Sequence, residues 1–159
     1  MAKKICLYGI LAAVCIILGY LEHLVALDFI AFGVKLGLAN SVVLLLVAKK
    51  DVKGAFCVNI VRILLSALLF SAPSTLIYSL SAGIISTAVM VLAVKFKSFS
   101  IIGFSVAGAT VHNIIQLICA YLLLGKGVLY YLPLLLVSAV ISGILIGIIA
   151  KTLLGKIRF

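Results

Sequence analysis

The chain has 159 residues, of which 67% are hydrophobic and 10% charged, with a mean hydropathy of +1.49. Soluble domains are about half apolar and a quarter charged, and a water-soluble fold of this size has too little interior to hide so much apolar surface. The formal charge of +10 comes from cations set at the ends of apolar runs, a pattern of membrane topology rather than of nucleic-acid binding.

Charges and turn residues divide the chain into six apolar runs. Each is read as a transmembrane helix, because roughly 20 apolar residues, about 17 to 25 in practice, cross the hydrocarbon core. The first, residues 5–22, follows Lys3 and Lys4 and ends at Glu22. A signal peptide is disfavoured, since no hydrophilic mature domain follows and Glu22-His23 is a poor cleavage site. Gly9, Ala12 and Ala13 share one face of it. Small residues let helices approach closely, so this face serves either internal packing or docking onto another membrane protein.

The second run, 33–48, opens on Gly33-Val34-Lys35-Leu36-Gly37-Leu38-Ala39-Asn40. On a continuous helix Lys35 and Asn40 would point about 140° apart. A glycine-loosened start would turn both inward, and short, glycine-interrupted segments mark binding sites in transporters. The third run, 54–70, carries a stripe of Ala55, Asn59, Arg62 and Ser66. Arg62 falls near mid-membrane, where an arginine costs at least about 2.5 kcal/mol and needs an acceptor. Glu22 is the one carboxylate on a helix, so a Glu22–Arg62 pair is one reading. An anionic ligand meeting Arg62 or Lys35 is the other, with equal claim.

The fourth run, 75–94, carries Tyr78 and Ser79. The fifth, 99–124, is the most informative. At about 100° per residue, Ser105, Gly108, Ala109, His112, Asn113, Gln116, Cys119 and Ala120 form one small, polar stripe, while Val106, Ile114, Leu117 and Ile118 form a face suited to lipid. Amides and imidazoles in hydrocarbon need partners, and three within two turns favour a cavity over simple interhelical bonds. The sixth run, 131–153, has Ala139, Gly143 and Gly147 at four-residue spacing beside Ser138 and Ser142, a surface read as internal packing. The runs are too long and too uniform for barrel strands. Residues 1–159 therefore read as a single all-α transmembrane domain of six helices.

An N-terminus inside the cell places Lys3, Lys4, Lys49, Lys50, Lys53, Lys95, Lys97, Lys151, Lys156 and Arg158 on the cytoplasmic side, as the positive-inside rule expects. Lys126 is then outside, with Lys35 at the margin. Both termini are cytoplasmic in this plasma-membrane reading. Glu22, Lys35, Asn40, Ser66, Tyr78, Ser79, Gln116 and Tyr121 then lie toward the outside, with Arg62, His112 and Asn113 deeper, an arrangement suited to a pocket loaded from outside.

Three scattered acids, Glu22, Asp28 and Asp51, do not form the carboxylate cluster that divalent-metal chemistry on phosphates uses. Cys6, Cys15, Cys57 and Cys119 lack metal-binding spacing, and His23 and His112 lie at different depths, which disfavours a two-histidine haem. No catalytic set, metal or cofactor is expected.

Several segments also carry a family resemblance. These are Glu22 ahead of the Lys35-Leu36-Gly37-Leu38-Ala39-Asn40 element, Arg62 with Leu64-Leu65, and Tyr78-Ser79-Leu80 with Gly83 and Met90. Ile102-Gly103, Ser105 to Ala109 and His112-Asn113-Ile114-Ile115-Gln116 follow in order. Over nearly the whole chain this resembles the Gx transporter family, often labelled heptaprenyl diphosphate synthase component I. The segment from His23 to Phe32 departs from it in lacking prolines. That family is in turn similar to the substrate-binding S-components of energy-coupling factor (ECF) transporters. The resemblance implies six helices, an outward-facing pocket for a vitamin-like molecule, and a first helix whose Gly9, Ala12 and Ala13 meet a transmembrane coupling subunit driven by ATPases. The chain has no phosphate-binding G-x-x-x-x-G-K-[ST] motif of its own.

The reading that follows is a non-enzymatic, substrate-binding membrane subunit for a small vitamin-like or isoprenoid/quinone-related molecule, with Glu22, Lys35, Asn40, Arg62, His112, Asn113 and Gln116 in the pocket. The alternatives are a membrane subunit of a flavin- or quinone-linked electron-transfer system and a non-catalytic scaffold for isoprenoid synthesis.

Overall fold

The computed structural model describes residues 2–25, 37–70, 74–96 and 100–156. Among these residues the chain forms six α-helices: α1 (Ala2–Val25), α2 (Asn40–Ala48), α3 (Val52–Phe70), α4 (Ser74–Lys95), α5 (Ile101–Leu124) and α6 (Leu132–Lys156). A 3-10 segment, Lys126–Tyr131, joins the last two. Five of the helices, all but α2, are long and apolar enough to cross a membrane, which makes this a multi-pass membrane protein. Large apolar side chains on their outer faces, such as Leu68 at 82% and Leu122 at 74% exposure, need lipid to cover them.

Helices consecutive in the chain run antiparallel. Gly143 and Gly147 of α6 lie against Val106 and Ile102 of α5, and Ser81, Ser86 and Met90 of α4 meet Cys119, His112 and Gly108 of α5. Asn59 of α3 reaches Gly83 and Thr87 of α4. The alternation gathers Lys3, Lys4, Lys49, Lys50, Lys53, Lys95, Lys151 and Lys156 toward one end of the bundle and sets Lys126 at the other. Lys35, Lys97 and Arg158 lie outside the described residues.

Helix α2 differs from its expected span of 33–48. Its nine residues measure about 13 Å, less than half of a roughly 30 Å hydrocarbon core. Residues 33–36 lie outside the described residues. At Gly37 the backbone turns left-handed, with φ +74°, a conformation glycine adopts without steric cost, and the helix starts at Asn40. Ser41 to Val47 are all buried, so α2 is the apolar axis of the bundle rather than a lipid-facing wall. That explains its uniformly hydrophobic sequence.

The turn after α2 holds two helices at once. The Lys50 and Asp51 N–H groups donate to Val47 and Leu46 carbonyls, with Lys50 at φ +62°. This is a Schellman-type stop in which a lysine takes the left-handed position. Asp51 then starts α3 by accepting from the Gly54 N–H at 3.1 Å, while its other oxygen accepts from the Tyr8 hydroxyl of α1 at 2.7 Å. The Tyr8 ring lies so close to Gly54 that a Cβ there would come within 2.6 Å of it.

The lipid-facing side expected for α5 is narrower in the structure. Ile114 and Ile118 are exposed, but Leu117 is buried and Val106 backs onto Gly143. The reason is that α5 is packed on two sides, between α4 and α6, so part of its apolar surface fills helix–helix seams. The small surface of α6 does pack internally.

Replacing Gly143 with alanine would set a Cβ 2.7 Å from the Val106 Cα, a backbone atom that cannot rotate away. Circular dichroism melts in detergent should show Gly143→Ala less stable by about 1–3 kcal/mol. Gly9→Ala, which meets nothing within 4 Å, should be neutral or slightly stabilising.

The Asp51 carboxyl is held below the usual carboxylate range, first by the Tyr8 hydroxyl; partial burial works against this, and the Gly54 N–H and Lys4 add to it. A carboxylate whose folded pKa is depressed adds stability above its unfolded pKa and loses it as pH falls through the folded one. The stability gap between the native chain and Asp51→Asn should therefore be full at neutral pH and close below the ordinary aspartate range. A gap independent of pH would show that the carboxylate charge is not what joins α1 to α3.

Candidate binding cavity

The halfway start of α2 leaves space above it that five full-length helices surround. The resulting cavity, counted with its open mouth and the solvent space in it, is about 730 Å3. Every helix contributes to the wall. Glu22 comes from α1, Gly37, Asn40 and Leu44 from the start of α2, Arg62 from α3 and Met90 from α4. Ser105, Gly108, Ala109, His112, Asn113 and Gln116 come from α5, and Ser142, Gly143 and Ile146 from α6.

The most expensive group is Arg62. Its Nη2 donates to Asn59 Oδ1 at 2.7 Å and to Asn40 Oδ1 at 3.2 Å. Asn59 is itself buried and fixed from the other side, its Nδ2 donating to the Gly83 carbonyl at 3.0 Å and to Thr87 Oγ1 at 2.8 Å. The Arg62 Nε is buried with no hydrogen-bond partner. Glu22 accepts from the Gly37 N–H at 2.5 Å, so the carboxylate at the end of α1 is fastened to the left-handed residue that precedes α2. Among the described residues, Arg62 bonds to amides and not to Glu22.

On α5, His112 Nδ1 lies 3.5 Å from Ser86 Oγ of α4, and Asn113 Nδ2 donates to the Leu135 carbonyl of α6 at 2.9 Å. These contacts orient both side chains at the wall, so Asn113 also bridges two helices. Gly108 leaves room for the Met90 thioether, which would lie 2.6 Å from a Cβ at that position. Leu44, Met90 and Ile146 are the large apolar side chains of its wall. Among the described residues no three His, Cys, Asp or Glu side chains gather as a metal site.

Six of the seven expected pocket residues, Glu22, Asn40, Arg62, His112, Asn113 and Gln116, therefore line one cavity. Lys35 lies outside the described residues. Ser66, Tyr78, Ser79 and Tyr121 are not among the lining side chains, and Cys119 turns to Ser81 of α4 instead. On α1, Ala12 is buried against the core, whereas Gly9 and Ala13 are exposed. Sequence reasoning passed over Ser142 and Met90 as wall residues, and left Asn59 in a stripe without assigning it a role. The spacing of Asn59 and Arg62, one turn apart, was the available signal.

With this geometry in hand, residues 11–153 match the family described as heptaprenyl diphosphate synthase component I. The chain belongs to that family. The match spans α3, α4 and α5 in full, most of α6 and every wall residue of the cavity. No curated protein and no solved structure matched the chain in the corresponding comparisons.

Asn59 makes the clearest test of how this component I family member holds its arginine. Asn59→Leu would remove the shorter of the two Arg62 contacts and the donor to Thr87, and is expected to cost about 2–4 kcal/mol, read as a fall in melting temperature. Gln116→Leu, at the wall without that network, is expected to cost less than about 1 kcal/mol.

Proposed function

We propose that this chain is a non-catalytic, substrate-binding membrane subunit that takes a small vitamin-like or isoprenoid/quinone-related molecule into the cavity above α2. The observation that carries this reading is the convergence of Glu22, Asn40, Arg62, His112, Asn113 and Gln116 on one open space within a lipid-compatible bundle. Hydrogen-bonding groups are expensive at such a depth, and a wall of them is a functional site by default. In this reading the lysine-rich end faces the cytoplasm, both termini are inside, and the cavity is loaded from the opposite side.

The transport machinery we favour is of the ECF type, in which this chain serves as the S-component. Gly9 and Ala13 leave open space on the outer face of α1, which supports a docking surface for a transmembrane coupling subunit. Ala12 supports that face from behind. ATP would be hydrolysed by partner ATPases, since the chain lacks a phosphate-binding loop.

The family's description favours a second reading, a membrane component that works with a separate prenyl-diphosphate synthase component. Chain elongation by the usual route needs aspartate clusters holding magnesium. This chain has three acids in separate segments, so its part would be to bind or deliver a molecule rather than to catalyse. An electron-transfer subunit would reveal itself by visible absorbance of the purified protein.

The test is native mass spectrometry of gently solubilised protein. A co-purifying small molecule is expected in the native chain and should be lost in Ala109→Phe, which fills the wall with an aromatic ring. Retention of the same molecule in a folded Ala109→Phe variant would exclude the cavity as its site.

A further inference from the structure

The cavity runs inward along one face of α5. Ser105 and Gln116 are both in its wall. On a regular helix they fall within about 20° of each other and about 16 Å apart along the axis. Packing partners fix the depth of the inner end. Ser105 lies beside Gly147 of α6, its Cβ 3.2 Å from where a Cβ there would stand, and Gly108 lies beside the Met90 sulfur. Ile146 adjoins Gly147, and Leu44 is one turn into α2. The three large apolar wall residues, Leu44, Met90 and Ile146, therefore belong to this inner part.

One polar group there is unused. Ser105 is only 5% exposed. A helical serine ordinarily settles a buried hydroxyl by donating to a carbonyl of its own helix, as Ser86, Ser138 and Ser142 do at Gly83, Leu135 and Ala139. The Ser105 hydroxyl makes no such bond and meets no other partner among the described residues. Nor is it sealed in: among the described residues, the side-chain polar atom closed off from free space without a partner is Arg62 Nε. The hydroxyl thus opens onto the cavity that Ser105 lines. A hydrogen-bonding group left unmet among apolar walls is costly until a guest meets it.

We propose that Ser105 is the specificity-determining contact at the inner end of the cavity, and that the ligand is a ring compound which enters ring first, with a ring nitrogen or oxygen bonded to the Ser105 hydroxyl. Leu44, Met90 and Ile146 hold the ring, and the Met90 thioether is suited to an aromatic edge. The rest of the molecule lies at the level of His112, Asn113 and Gln116, so it carries polar groups. A prenyl chain in the leading position would find apolar walls but leave the hydroxyl unmet. This inference rests on the binding reading above and narrows its ligand to ring compounds with a hydrogen-bonding edge.

The experiment uses the full chain in maltoside micelles and two probes of one shape, isoquinoline and naphthalene, which differ by a single ring nitrogen. Mildly alkaline buffer keeps isoquinoline uncharged. Each is titrated into the native chain and into Ser105→Ala while the melting temperature is followed. Ser105→Ala keeps the Cβ that packs at Gly147 and removes only the hydroxyl. Isoquinoline should stabilise the native chain saturably. Its affinity relative to naphthalene should fall about three- to tenfold in Ser105→Ala, the loss of one hydrogen bond, with naphthalene itself unchanged. No saturable stabilisation by isoquinoline, or the same ratio of affinities in both proteins, would each overturn the proposal. An acyclic co-purified molecule lost in Ala109→Phe would refute the ring at Ser105 while leaving the cavity's binding role intact.

Discussion

A guanidinium in the middle of an apolar bundle must be held by other side chains, because hydrocarbon supplies no acceptors. Arg62 meets this demand through Asn59 and Asn40, and the architecture follows from where those two amides have to be. Asn59 sits one turn earlier on α3 and is fixed by Gly83 and Thr87. Asn40 can reach the same depth from the neighbouring segment because α2 starts there. A full-length second helix would carry its chain past Arg62 instead of ending beside it. The half-length helix, the partnered arginine and the open space above them are one structural solution.

Glycine makes that solution possible at two kinds of place. At Gly37 the chain turns left-handed before entering α2, and its N–H is free to meet Glu22, which fastens the far end of α1 to the cavity's rim. At Gly143 and Gly147 the absence of a side chain lets α6 touch the backbone of α5. Close approach there holds α5 in place, and α5 supplies more of the cavity wall than any other helix. Asp51 secures the opposite end of α1 through Tyr8. The first helix is thus pinned near both ends while much of its outer face remains open.

Much of this was legible in the sequence, for physical reasons that also mark where legibility stopped. Runs bounded by lysines and turn residues gave α3, α4 and α5 to within two residues of their observed ends, since a bilayer sets helix length directly. The polar stripe on α5 identified Ser105, Gly108, Ala109, His112, Asn113 and Gln116 as sharing a face, because helical period converts spacing into direction. The same rule failed for Val106 and Leu117. Periodicity shows that a face is apolar, but lipid and a neighbouring helix are equally apolar, so it cannot say which covers it. Likewise, the depth of Arg62 called for an acceptor, and charge complementarity offered Glu22 or an anionic ligand with equal claim. The bundle uses the amides of Asn59 and Asn40, which accept from Nη2 of the guanidinium without burying a second charge. Hydrophobicity could not reveal that α2 is short, as its apolar residues continue to Lys49 whether they face lipid or core.

The centre of the bundle also limits how a bound molecule can leave. From Asn40 to Ala48 the short helix occupies the axis between the cavity and the lysine-rich end, and Ser41 to Val47 are buried among the surrounding helices. A molecule seated in the cavity therefore has an apolar plug beneath it, not a passage. Reaching the lysine-rich side would require α2 to be displaced, at the cost of exposing Val43, Leu44 and Val47 from full burial, or the whole bundle to reorient in the bilayer. The first route discards several kilocalories per mole of packing, at about 1.5–3 kcal/mol for each large apolar side chain. The second leaves the bundle intact and needs only an external surface against which to turn. For the binding subunit proposed above, physical economy would therefore favour the second route, with a partner supplying that surface.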